Sequence, residues 1–169
     1  MAGRTSRNKG ARGEREVVTL LQEIVDEVYA EENRKREEWR SLHGRDMVGE
    51  NLAVPVLKRN YSQRFAAKQY DVEGLDWLAL EVKRVENLSG LGSWWTQCRT
   101  ATRKGQTSVL FYRQNHGRWK IRMRVWVRAG VPIADRQGYH GKSTHVGMTV
   151  DTDIDSFLVW FRERLKSEL

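Results

Sequence analysis

Cysteine is almost absent from this 169-residue chain. Cys98 stands alone, which excludes an intrachain disulfide and a thiolate zinc site. Long apolar runs are missing too: none approaches the roughly 18 residues needed to span a bilayer. The N-terminus is basic but has no apolar segment behind it, so it does not read as a secretory signal. Acid is in deficit, with 22 Asp and Glu against 30 Lys and Arg, a formal charge of +8 and a pI of about 9.9. That balance favours a polyanionic partner, nucleic acid first and an acidic membrane surface second. No internal repeat, low-complexity tract or helix-turn-helix signature stands out. What remains is 39% hydrophobic and holds seven tryptophans, enough for one folded domain with its own core. A soluble, cytoplasmic protein is expected.

The most informative stretch runs from Asp71 to Arg84, DVEGLDWLALEVKR. Trp77 to Val82 is nearly all apolar, as in a strand buried on both faces. Glu73, Gly74 and Asp76 supply turn chemistry before it. The run closes on Glu81-Val82-Lys83, and alternation puts Glu81 and Lys83 on one face. A hairpin centred near Gly74–Asp76 returns Asp71 to the side of Glu81. Asp76 lies an odd number of positions from Glu81 and is assigned to the turn. Two carboxylates at close range repel unless a cation neutralises them, and oxygen donors of this kind suit Mg²⁺ or Mn²⁺. An ammonium beside them can orient water or stabilise charge on a phosphate. The blander alternative is an ion pair of Glu81 with Lys83 at a sheet margin.

Residues 1–8 read as a flexible basic arm and 9–169 as a single domain. From about Gly10 to Arg40 the period is helical: Val17, Leu20, Leu21, Ile24, Val25 and Val28 form a stripe. Glu14 falls on the inward side of that wheel and Glu16 on the solvated side. Favourable placement at a helix N-terminus would also account for Glu14. Beyond Tyr29 the helix is almost all charge. Residues Ser41 to about Val56 lose periodicity and read as a loop insertion. No acidic residue occurs from Asn51 to Tyr70, while Lys58, Arg59, Arg64 and Lys68 accumulate beside Tyr61 and Phe65, a mixture suited to a nucleic-acid strand.

A short helix from about Ser93 to Arg103 sets Trp94, Gln97 and Ala101 on one face, with Ser93 near its N-cap. Arg99, Arg103 and Lys104 add positive charge. Thr107 to Tyr112 reads as a strand, and Asn115-His116-Gly117 as a turn. Trp119, Ile121, Met123 and Val125 then alternate with Lys120, Arg122, Arg124 and Trp126, giving a core face and a basic face. His140 and His145 lie in a Gly-rich stretch and make no convincing metal pair. Met148 to Val150 is a last short strand. Asp153 or Asp155 caps a closing helix striped by Phe157, Leu158, Phe161 and Leu165.

Taken in order, these pieces resemble the PD-(D/E)xK nuclease superfamily, and within it the archaeal-type and phage-borne Holliday junction resolvases. The carrying residues are Lys9-Gly10 with Glu14-Arg15-Glu16, Asp71-Val72, Glu81-Val82-Lys83 and Gln97, over roughly Lys9 to Val127. Gln69-Tyr70 precedes Asp71 where the superfamily usually has proline. The resemblance implies an α/β fold with a restriction-endonuclease-like core, a mixed central sheet flanked by helices. It implies a metal-dependent DNA endonuclease working on branched DNA as a homodimer. Asp71, Glu81, the Val82 carbonyl and Glu14 would hold Mg²⁺, with Mn²⁺ able to substitute, and Lys83 and Gln97 would complete the catalytic set. Lys9, Arg12, Arg15, Lys58, Arg59, Arg64, Lys68, Arg84, Arg99, Arg103, Lys104, Arg122 and Arg124 are the candidate DNA contacts. If carried by a phage, such a protein would act in the host cytoplasm. Two alternatives stay open: a restriction-like or replication-associated nuclease on unbranched DNA, and a non-catalytic nucleic-acid-binding module.

Overall fold

A computed structural model of the chain describes residues 2–44, 49–61, 70–128 and 145–169, with backbone alone for residues 2–9, 127, 128 and 145. The expected contacts Arg64 and Lys68 and the residue His140 lie outside the described residues, as does the side chain of Lys9. The fold is α/β: among the described residues three helices flank one open, mixed sheet of six strands in the order β1-β2-β3-β4-β5-β6. The strands are β1 (Lys58–Arg59), β2 (Val72–Glu73), β3 (Leu78–Val85), β4 (Thr107–Gln114), β5 (Lys120–Arg128) and β6 (His145–Asp153). Among the described strands only β3 and β4 pair in parallel, because helix α2 (Leu91–Ala101) crosses over between them. Every other neighbouring pair is antiparallel.

Alternation along the strands divides the core into two layers. Leu80, Val82, Val109, Phe111, Ile121 and Met123 face helices α1 (Ala2–His43) and α3 (Ile154–Lys166). Phe157 of α3 packs edge-on against Phe111 with centroids 5.0 Å apart. Leu110 and Tyr112 face the other way and pack with Trp95 and Cys98 of α2. Burial pushes the Cys98 thiol up to about 12, with the charge of Glu81 adding to it, so this cysteine is a core group rather than a nucleophile.

The stripe of α1 is as expected, with Val17, Leu21, Val25 and Val28 buried. The helix itself begins earlier, at Ala2, so the residues read as an arm form its first turns. Glu14 therefore lies about three turns into the helix, and placement at an N-terminus no longer explains it. Past Val28 the charged turns are held by ladder pairs such as Lys35–Glu31 at 2.9 Å. Two amide side chains of α1 secure the chain that precedes β1. Gln22 accepts from the Leu57 N–H at 2.7 Å, and Asn33 accepts from the Leu52 N–H at 2.7 Å.

Two further boundaries differ from the sequence reading, and one of the two expected caps of α3 is selected. Helix α2 starts at Leu91 with Gly90 as its cap, and Ser93 sits inside the first turn, donating to the Gly90 carbonyl at 2.8 Å. Its buried face is Trp95, Cys98 and Ala101 rather than the face of Trp94. Strand β6 runs nine residues, because its whole length pairs with β5. Asp153 is the α3 cap, its side chain accepting from the Ser156 N–H at 2.7 Å. Among the described residues no helix is long and apolar enough to cross a membrane.

Candidate active site

The hairpin forms where the sequence places it. Val72 pairs with Leu80, and the Asp71 N–H donates to the Leu80 carbonyl at 2.9 Å. Gly74 makes the turn at φ +126°, a conformation that side chains resist, and a Cβ there would stand 2.5 Å from the Val56 carbonyl oxygen. Glycine is thus required both by the backbone and by the chain passing over it. Asp76 is exposed in the turn, away from the carboxylates.

Because β2 is so short, the Val82 N–H lies beyond its last pair. Asp71 Oδ2 accepts that N–H at 2.6 Å. The carboxylate thereby continues the ladder and is fixed against β3. Glu81 alternates to the α2 side of the sheet and is 1% exposed. Its Oε1 accepts from both the Lys83 ammonium and Gln97 Nε2, the latter at 2.9 Å. Its Oε2 is buried with no hydrogen-bond partner. An orphaned acceptor of this kind is costly in a protein interior, by about 1–3 kcal/mol.

The electrostatics follow from this crowding. Burial, then the neighbouring Asp71 charge, push the Glu81 carboxyl up to about 7 from its ordinary 4.5. Lys83 only partly compensates. Burial alone would pull the Lys83 ammonium down, but the charges of Glu81 and Asp71 outweigh it and hold its pKa above the ordinary value. Lys83 is therefore a fixed positive charge at neutral pH, not a ready base.

Asp71, Glu81, Lys83 and Gln97 thus meet over the middle of β3. Glu14 acts on them at longer range, its charge adding to the upward push on Glu81, while its Oε2 accepts from Arg59 Nε at 2.6 Å. Among the described residues no group of three or more His, Cys, Asp or Glu converges tightly enough to hold a metal. The donor set fits a hard cation bound by Asp71, Glu81 and the Val82 carbonyl: two carboxylates in mutual repulsion, one with an unpartnered buried oxygen. Mg²⁺ is commonly held by one or two carboxylates with water and substrate phosphate completing its shell.

The surrounding basic residues sort into two groups. Arg59 pairs with Glu14, Lys58 with Glu73 at 3.4 Å, and Arg122 with Asp151 at 2.6 Å. Glu16, expected on the solvated side of α1, is instead a hub. It accepts from Arg12 at 3.3 Å, from Arg84 at 3.3 Å and from Arg113. Gly13 allows this, since α1 approaches until a Cβ at that position would stand 3.1 Å from Arg84 Cβ. Arg113 also stacks over Trp119 at 4.3 Å. Arg15, Arg99, Arg103, Lys104 and Arg124 have no carboxylate partner among the described residues, so their charge is available to a ligand. No sequence signal identified Arg59 or Arg113 as structural cations, because their partners stand 45 and 97 residues away.

Comparison with family models, with curated proteins and with solved structures finds no match to this chain.

Proposed function

We propose that the protein is a metal-dependent DNA endonuclease of the PD-(D/E)xK kind, built on a restriction-endonuclease-like core. The observation that carries the reading is the Asp71–Glu81 pair. A buried glutamate with an orphaned oxygen stands beside a second carboxylate and a lysine held charged. A protein that merely bound nucleic acid would gain nothing from carboxylates facing phosphates. Mg²⁺ or Mn²⁺ at Asp71, Glu81 and the Val82 carbonyl would neutralise the pair and polarise a phosphoryl oxygen. Lys83 places its ammonium against negative charge developing on the phosphate. Gln97, anchored on Glu81 from α2, orients water for attack on phosphorus. The P–O bond to the leaving sugar oxygen then breaks, leaving a phosphomonoester and a hydroxyl end. Resemblance to the Holliday junction resolvases extends the reading to branched DNA cut by a two-fold homodimer.

The test is cleavage of labelled four-way junction, linear duplex and single strand, in Mg²⁺ or EDTA, by wild type and Glu81→Ala. Expected are Mg²⁺-dependent nicks that the variant no longer makes while still binding DNA. Symmetric paired nicks on the junction alone support the resolvase reading. Cleavage that survives in a clean Glu81→Ala preparation removes the assignment.

A further inference from the structure

A cleft of about 720 Å³ opens at the N-terminal end of β4, between the α2–β4 connection, the end of β5 and α3. Its volume is that of a small-ligand site. Arg99, Arg103, Lys104 and Arg124 line it, and among the described residues no carboxylate does. Arg164 also reaches the cleft but pairs with Glu168. Two indoles complete the wall, Trp126 and Trp160. Trp126 is 61% exposed, and the Arg124 guanidinium lies over one of its faces at 4.7 Å. Gly147, the register partner of Trp126, makes room for that stack, since a Cβ there would stand 2.9 Å from the guanidinium.

We propose that this cleft holds an unpaired nucleotide segment of the DNA strand being cut. The choice of ligand rests on the nuclease reading above; the geometry rests on the cleft alone. Four cations without acidic partners among the described residues suit successive phosphates, and an exposed indole suits a base. In a duplex the base faces are covered by their neighbours, so a tryptophan has nothing to stack on; an unpaired base presents its π-face. Of the neutral polar side chains of the cleft, Thr102, Gln106 and Ser108 are already committed. Gln106 bonds the Asp76 carbonyl at 2.9 Å and the Arg103 N–H at 3.0 Å, and Ser108 bonds Thr102 at 2.8 Å. Few groups remain to read base edges, so the site tolerates any sequence. It also adjoins the carboxylates. Ser108 precedes Leu110, the register partner of Glu81, by two residues on β4, about 7 Å along the strand. A strand seated here delivers its adjoining backbone to Glu81 and Lys83, which directs the enzyme to branched DNA with a single-stranded stretch.

Binding of fluorescein-labelled oligothymidylate and of a fully paired hairpin, followed by anisotropy in EDTA, tests the cleft without any cleavage. Failure here therefore leaves the nuclease reading standing, and failure of cleavage leaves this result standing. Trp126→Ala is expected to weaken single-strand binding about tenfold, with hairpin binding changed less than about twofold. Trp126→Phe, which keeps a stackable ring, recovers most of the loss. Arg103→Glu with Lys104→Glu lowers single-strand affinity and flattens its salt dependence. Unchanged single-strand binding in Trp126→Ala, or equal losses on both ligands, overturns the proposal, as does single-strand binding unchanged by the charge reversals.

Discussion

Replacing Glu81 by glutamine should change how stability depends on pH. In the folded chain the carboxyl is held near 7 instead of 4.5, by burial first and by Asp71 second. A carboxyl with a raised folded pKa binds more protons in the native state than in the unfolded state between those two values. Stability therefore falls as pH rises through that window. Its contribution is fully present below about pH 4.5 and lost above about pH 7. At about 1.4 kcal/mol for each tenfold change in proton affinity, the loss is about 3 kcal/mol. Lys83 keeps its charge throughout, because its pKa is raised further above an already high value. Glutamine cannot ionise, so Glu81→Gln should lose no such increment, and at pH 8 it should gain about 3 kcal/mol on wild type relative to pH 4.5. Urea unfolding followed by tryptophan fluorescence in EDTA reads this as a difference in midpoint that grows with pH. Saturating Mg²⁺ at pH 8 should then restore wild type and leave the variant unmoved, by linkage of binding to folding. Parallel pH profiles for the two proteins would refute the strained-carboxylate argument, and a wild type that gains stability toward pH 8 relative to the variant would reverse its sign.

Two other substitutions test the frame around the site. Phe157→Ala removes a fully buried ring that meets Phe111, Trp160 and Phe161. It should cost about 3–5 kcal/mol in urea unfolding, and a loss below about 1 kcal/mol would mean that α3 is not a true part of the core. Glu16→Ala leaves Arg12, Arg84 and Arg113 facing one another without their shared carboxylate. A loss of about 2 kcal/mol is expected, partly recovered by added salt through screening; a neutral result would return Glu16 to the solvated face.

Periodicity of two and turn chemistry made the hairpin and its carboxylates legible. Asp71, Gly74 and Glu81 lie within eleven residues, and their relation depends only on local alternation and one turn. The apolar stripe of α1, the basic face of β5 and the apolar stripe of α3 were legible for the same reason. Gln97 could be flagged as a polar group on a helix turned toward the sheet, though the indole buried beside it proved to be Trp95, not Trp94. What stayed hidden depends on elements distant in the chain. A helical wheel places Glu16 away from the apolar stripe, but cannot know that Arg84 and Arg113 at the ends of β3 and β4 will rise to meet it. Likewise β6 lacks a continuous apolar run, and only its pairing with β5 reveals its length. The start of α1 carries no apolar period, so its helicity was not visible in the pattern.

The parallel pairing of β3 with β4 has a consequence for timing during synthesis. Every hydrogen bond of that pair closes a loop through α2, and the strands it joins rest on Phe157 and Phe161, near the end of the chain. Asp71 and Glu81 can meet in an isolated hairpin, but such a hairpin is at best marginally stable in water. Gln97 and the support of α3 come later in translation. The carboxylate site is therefore fully assembled only after the chain as far as α3 has left the ribosome. The proposed activity would therefore be absent from the partly made chain.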